Sequence, residues 1–366
     1  TPTNGSGRNP VHWLGFLFCV KIAYCVPFFN ILKEQCKSMT GLEEMGDMEE
    51  LLEEILAQYD LEVEKIVRTR GGWLLYTDAG LCMLREVQQK AEGFEFTRNV
   101  REYLEKQGME VDCPVANKEE EYKTQCQCGE VYAVYCWYPG EHCDFRKNPH
   151  LFRAGENLGK LHSLLKQYPC EHKPAQTLLQ QMERYNREMK RVFSYMKGKK
   201  RKSPFEYGMM ESFHPFYKQA WDVTQRLGAC PYYQKNAEES FLCHGEYNYH
   251  NLIFHGARVF TSGFERVTPG MQLTDLAYFV RKVMEKNNWD PGKGREILLG
   301  YEKEQPLSQE QREFVGILLA YPMKYRKLLN QYMNGKKSWI SQKSMEKLNG
   351  VKQREQMKMK YLKNFL

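Results

Sequence analysis

The chain has 366 residues, 42% of them hydrophobic and 13% aromatic, enough for one large or two coupled domains and against a disordered chain. Lys and Arg number 53 against 46 Asp and Glu, an excess too mild for a dedicated nucleic-acid binder, so no specific nucleic-acid partner is expected. Among the twelve cysteines only Cys126 and Cys128 stand close together, which predicts free, mostly buried thiols and neither a disulfide framework nor a zinc site.

The first residue is Thr, and His12 to Ile31 form a largely apolar run broken by Lys21 and Asn30. At about 20 residues the run has the length of a membrane helix, but Arg8 alone precedes it, a poor secretory leader. The favoured reading places the native start at Met39, Met45 or Met48. A membrane anchor and a packing extension are the other two readings, so membrane contact stays open. Residues 1–44 are therefore set apart as an apolar extension.

From Asp47 to Tyr59, Leu51, Leu52, Ile55 and Leu56 recur at helical spacing between acidic residues. Three short runs follow, Leu61–Thr69, Trp73–Thr77 and Leu81–Val87, split by Gly71-Gly72 and Asp78-Ala79-Gly80; they predict a three-strand meander. Helical periodicity returns over Ala91–Gly108. Tyr122–Gln127 and Val131–Tyr138 predict two more strands, which Pro139-Gly140 ends. Beyond that joint the chain turns helical, with Leu158, Leu161, Leu164 and Leu165 on one face of Leu151–Leu165. A second long helix is expected over Thr177–Met196. The charge run Lys197 to Lys202 is read as a solvated loop. A strand-rich stretch, Phe241–Val267, interrupts the helices, which resume at Leu273.

The chemistry-bearing stretch runs from His244 through Glu246 to Asn251, followed by Gly263-Phe264-Glu265 and by Asp275. The spacing is similar to a phosphotransferase pattern: His-x-Asp-x-x-x-x-Asn, then Asp-Phe, then a helix opened by Asp. In that pattern the first acid accepts the proton of the attacking hydroxyl, and the Asn and the second Asp hold magnesium. His244, Asn251 and Phe264 stand in place. Glu246 occupies the base position with one methylene too many, and a displacement near 1 Å costs about a hundredfold in rate. Gly263 occupies the metal-binding Asp position and offers no side chain, while magnesium demands hard oxygen ligands. If the segment is a strand, Glu265 shares a face with Gly263. Restoring Asp at Glu246 and Gly263 is expected to recover metal-dependent nucleotide binding if only these ligands are missing. Arg85 stands where the third strand of such a fold carries its phosphate-binding Lys. Glu95 or Glu102 on the next helix is its expected partner, with Glu95 favoured. Gly71-Gly72 is read as a hairpin turn rather than a phosphate-covering loop, and Trp137 to Gly140 is where an adenine would stack.

The sequence resembles the spore coat protein S (CotS) family, itself similar to aminoglycoside and choline phosphotransferases, from about Glu49 to Leu366. The resemblance is carried by Tyr59-Asp60-Leu61-Glu62-Val63, Thr77-Asp78-Ala79-Gly80-Leu81, Trp137 to Asp144, Leu158-Gly159-Lys160-Leu161-His162 and Asn186 to Lys190. The His244–Asn251 loop, Asp275 to Lys286, Ala320 to Tyr325, Asn330-Gln331-Tyr332 and Trp339-Ile340 extend it. It implies an α+β, two-lobed protein-kinase-like fold, with a small antiparallel-sheet N-lobe over 45–138 and a larger, mostly helical C-lobe over 139–366. It also implies a role in assembling the endospore coat among other spore coat proteins, in the mother-cell cytoplasm and then in the coat itself. Members resembling active enzymes carry Asp at the Glu246 and Gly263 positions. The departure at both makes a catalytically inactive or impaired scaffold the expected function, docking partners through the helical lobe and the basic tail Lys343–Leu366, a tail read equally well as a terminal helix that closes the lobe. The alternative is an ATP- and magnesium-dependent small-molecule kinase using Glu246 as base; no cofactor is otherwise expected.

Overall fold

The computed structural model describes residues 42–69, 71–170, 173–238, 240–335 and 342–363. The apolar run 12–31, Trp339-Ile340 and Phe365 lie outside them. The chain divides into two compact units, Thr1–Glu50 and Leu51–Leu366. In the first, the described residues open helix α1 (Leu42–Leu56); everything below concerns the second.

Five strands form the first sheet: β1 (Val63–Thr69), β2 (Gly72–Thr77), β3 (Gly80–Glu86), β5 (Thr124–Gln125) and β6 (Val131–Cys136), in the order β1-β2-β3-β6-β5 and antiparallel throughout. Alternation sets the two faces. Trp73 and Leu75, Cys82 and Leu84, and Tyr132 and Val134 point one way and pack with Ile55 of α1 and with Tyr59. Ala133 and Tyr135 point the other way, against Phe94 of helix α2 (Ala91–Lys106). Gly71-Gly72 falls in the β1–β2 turn, as expected.

A second sheet has the order β4-β10-β9-β7, from β4 (Glu110–Val111), β7 (Glu141–His142), β9 (Leu252–His255) and β10 (Arg258–Thr261). The two-residue β4, parallel to β10, is too short to leave a periodic signature, and no sequence pattern announces it. A third, two-stranded sheet pairs β8 (Phe241–Cys243) with β11 (Thr268–Gly270). The remainder is helical: α3 (Asn148–Gln167), α4 (Leu178–Gly198), α5 (Pro204–Ala229), α6 (Pro231–Asn236), α7 (Leu273–Met284), α8 (Pro291–Glu304), α9 (Gln309–Ala320), α10 (Met323–Asn334) and α11 (Gln342–Lys363). This is the small-sheet, large-helical division expected. Among the described residues no helix is long and apolar enough to cross a membrane.

Two expectations change, and one that stood open is decided. The strand predicted over Tyr122–Gln127 shrinks to Thr124–Gln125. The chain before it is held as a loop by Asn117, whose Oδ1 accepts from the N–H groups of Glu119 and Glu121. Cys126 and Cys128 are not free thiols but a disulfide across the β5–β6 turn, where the backbone brings their Cα atoms to 5.3 Å; Cys82, Cys113, Cys143, Cys230 and Cys243 are buried free thiols, as expected. Of the two readings of the basic tail, the closing helix holds. Within α11, Leu348, Val351 and Leu362 are buried, and the ammonium of Lys358 is buried against the Ala320 and Tyr321 carbonyls. These contacts make α11 the closing helix of the lobe.

The charge run is only partly solvated. Lys199 pairs with the buried Glu206, which also forms a capping box with Ser203 and accepts from the Tyr332 hydroxyl. Burial pushes the Glu206 carboxyl up, but Lys199, Tyr332 and Ser203 outweigh it and hold it at about 2. The unfolded group titrates near 4.5, so its contribution is complete above that pH and is lost as pH falls toward 2. The stability at stake is on the order of 3 kcal/mol. Denaturant melts of wild type and Glu206→Gln should therefore differ most at neutral pH and converge near pH 2. A gap that stays constant across that range would refute the assignment.

Candidate functional site

The loop from His244 to Asn251 leaves β8 and is pinned from two sides. The N–H groups of His244 and Gly245 donate to the buried Asp275 carboxylate at 2.6 and 2.9 Å. Asp275 sits in the first turn of α7, where the helix dipole favours an acid. The His244 ring is fully buried, and burial holds it below its ordinary value. Its Nδ1 accepts from the Glu246 N–H at 3.3 Å, so the neutral ring donates through Nε2 to the Ser262 carbonyl at 3.1 Å. Gly245 has φ +77, and a Cβ there would fall 2.1 Å from the Arg266 carbonyl oxygen. Only glycine fits.

Glu246 turns its partly exposed carboxylate to Arg266, with Nε 2.9 Å from Oε2. Its backbone carbonyl accepts from the side chains of Asn248 and Asn251 at 2.9 and 3.1 Å. Gly263 has φ +87 and ψ +39, and a Cβ there would lie 2.5 Å from Asn251 Nδ2. Asn251 thus fills the space into which a side chain at 263 would grow. The expectation that Glu265 shares a strand face with Gly263 does not hold. The chain leaves its strand at Thr261 and continues as a left-handed residue followed by a 3-10 turn, Phe264–Arg266.

What surrounds Gly263 is a cluster of two guanidinium groups and two carboxylates. Asp112, fully buried just after β4, accepts from Arg85 Nη1 at 3.1 Å, Arg101 Nε at 3.0 Å and the Gly263 N–H at 3.0 Å. Glu265 accepts from Arg101 Nη2 at 2.9 Å and lies 3.6 Å from Arg85 Nη1. Arg101 is 1% exposed, the one charged member of the buried stripe Phe94, Thr97, Val100, Arg101 and Leu104 on α2. Its burial opposes the charge, but Asp112 and Glu265 outweigh that and raise its affinity for the proton. The Arg85 guanidinium also lies over the Trp137 ring at 4.8 Å.

The pairing expected between Arg85 and Glu95 is absent. Glu95 lies on the outer face of α2, 54% exposed, and pairs with Arg98, which also meets Glu102. Asp112 and Arg101 take the place of that pair, and neither was singled out from the sequence. For Arg101 a signal exists, because it falls in the apolar phase of α2 between Val100 and Leu104.

Magnesium does not fit the residues present. A hard dication needs free carboxylate or carbonyl oxygens, and around Gly263 both carboxylates are neutralised by buried or half-buried guanidinium groups. Asn251 directs its amide nitrogen at the Glu246 carbonyl, and Glu246 is engaged by Arg266. On the outer side of the loop, Gly245 and Glu246 form part of the wall of a cavity of about 650 Å³ within the helical lobe.

Solved structures similar to this chain include phosphotransferases. An aminoglycoside phosphotransferase from Alicyclobacillus acidocaldarius superposes with a TM-score of 0.72 at 13% identity, covering 90% of this chain and 97% of that one. The amicoumacin kinase hAmiN, solved with AMP-PNP and Ca2+, gives 0.60 at 14% identity, covering 87% and 96%. At these identities the likeness establishes the protein-kinase-like fold. Among curated proteins, spore coat protein S of Bacillus subtilis (strain 168) is 20% identical over 309 residues, 81% of this chain and 88% of its own. The family model described as "Spore coat putative kinase YutH" matches residues 52–365, nearly the whole chain, and the protein belongs to that family of kinase-like spore coat proteins.

Proposed function

We propose that this protein is a kinase-fold scaffold of the spore coat that has lost phosphoryl transfer. It is made in the mother-cell cytoplasm and carried into the coat, where it contacts other coat proteins through its helical lobe. One observation carries the reading. Where a phosphotransferase needs free acids for metal, Asp112 and Glu265 are already engaged by Arg85 and Arg101. Carboxylates already neutralised within a buried cluster offer little field to draw in magnesium. Gly263 adds no ligand, and its place is taken by Asn251.

The second reading, a live small-molecule kinase with Glu246 as base, is favoured by the position of Glu246 on the cavity wall, five residues before Asn251. Isothermal calorimetry of the full chain with ATP, with and without Mg2+, separates the two. The scaffold reading expects no heat that depends on Mg2+ and no ADP. Magnesium-dependent binding accompanied by turnover that Glu246→Gln abolishes would establish the second reading in its place.

A further inference from the structure

The cavity behind the catalytic-type loop has a lining of unusual charge for an acceptor site. Four cations face it, Arg266, Arg281, Arg326 and Lys327, against two carboxylates, Glu246 and Asp275. Neither carboxylate is available. Asp275 is engaged by two backbone N–H groups and Glu246 by Arg266.

The cations differ in how far they are already satisfied. Arg281 pairs with Glu285, which it shares with Lys324. Arg326 lines the cavity, gives one guanidinium nitrogen to Glu188 at 2.7 Å and lies over the Tyr185 ring. Lys327 has no ion pair among the described residues. Partial desolvation and the neighbouring Arg281, Lys282 and Lys324, only partly opposed by Glu285, hold its ammonium below the ordinary lysine value.

The helix that carries these groups adds to the same field. Its first turn normally favours acids, yet α10 begins with no acidic residue and no side-chain cap, and places Lys324, Arg326 and Lys327 there instead. Positive side chains are thus added to the positive end of a helix dipole beside a cavity. The volume, about 650 Å³, suits a ligand of sugar or drug size.

We infer that this cavity binds a small oxyanionic ligand, a phosphate- or carboxylate-bearing molecule, held by Lys327, Arg326 and Arg281. The site excludes cationic aminoglycoside-type molecules by like-charge repulsion. The inference rests on the cavity alone and holds whether or not nucleotide binds at the cluster around Gly263.

Calorimetric titration of the full chain with glucose 6-phosphate, citrate, glucose and kanamycin, at matched ionic strength, tests it. Glucose 6-phosphate or citrate should bind, and whichever binds tighter identifies phosphate or carboxylate as the preferred head group. Glucose and kanamycin should not bind. Lys327→Gln should weaken anion binding about tenfold, and added KCl should weaken it further. A second variant, Arg266→Gln, guards against a site displaced along the wall and should weaken binding as well. Absence of binding by both anions overturns the inference. So does anion binding that neither variant changes, or kanamycin binding as tight as that of the anions.

Discussion

Asp112→Ala is expected to destabilise the protein by about 3–5 kcal/mol, because it removes the shared acceptor of a buried ionic cluster. Three donors converge on that carboxylate: Arg85, Arg101 and the Gly263 N–H. Without it, the Arg101 guanidinium stays 1% exposed with Glu265 as its only carboxylate partner. A buried charge that keeps half its compensation costs far more than the pair contributed. The control is Glu95→Ala on the outer face of the same helix. Its ion pair with Arg98 is solvent-exposed on the acid side, and such pairs contribute about 0–1 kcal/mol. Urea melts of both variants make the comparison, and Asp112→Asn, which keeps the shape without the charge, should fall between them. Equal small shifts for Asp112→Ala and Glu95→Ala would mean that the cluster holds nothing together.

The same contrast explains what the sequence made legible. The meander is readable because short apolar runs are divided by Gly-containing turns, and in β2 Trp73 and Leu75 alternate with less buried neighbours, all of it local information. The register of the loop is readable because His244, Asn251, Phe264 and Asp275 are fixed by separation along the chain, and their roles as clamps follow from contacts that this spacing dictates. The partner of Arg85 is not readable in that way. Glu95 is nearby in sequence and chemically suitable, but one face of α2 is solvated and the other is core, and Glu95 falls on the solvated face. Asp112 wins because the chain after α2 turns back through β4 to lie beside β10, a tertiary fact that leaves no mark in local periodicity. Glu265 was misplaced for a related reason. The left-handed turn at Gly263 changes the direction of every side chain after it, so strand alternation cannot be carried through that residue. The Cys126–Cys128 bridge was missed because thiol spacing alone says nothing of a turn tight enough to join them.

Restoring Asp at Glu246 and Gly263 is expected to leave magnesium-dependent nucleotide binding unrecovered, in contrast to what the sequence alone implies. In Glu246→Asp/Gly263→Asp the new carboxylate at 263 enters a space bounded by Asn251 Nδ2, 2.5 Å from the position of its Cβ. The backbone there is left-handed, which costs a non-glycine residue roughly 1–2 kcal/mol, and Asp tolerates it better than most. A third acid would then join Asp112 and Glu265 beside Arg85 and Arg101. The guanidinium groups are covalently tethered and already desolvated, so they neutralise that acid without the dehydration that magnesium must undergo. Titration of the double variant with ATP should show less than about a threefold gain on adding Mg2+, under 1 kcal/mol, together with a lower melting temperature than wild type. A strong magnesium-dependent gain in the double variant would show that the residues at 246 and 263 were the whole defect and that the arginine–carboxylate cluster is no barrier. The proposed scaffold would then be one substitution pair away from a working metal site, and the charge balance around Arg101 would have to be explained by stability alone.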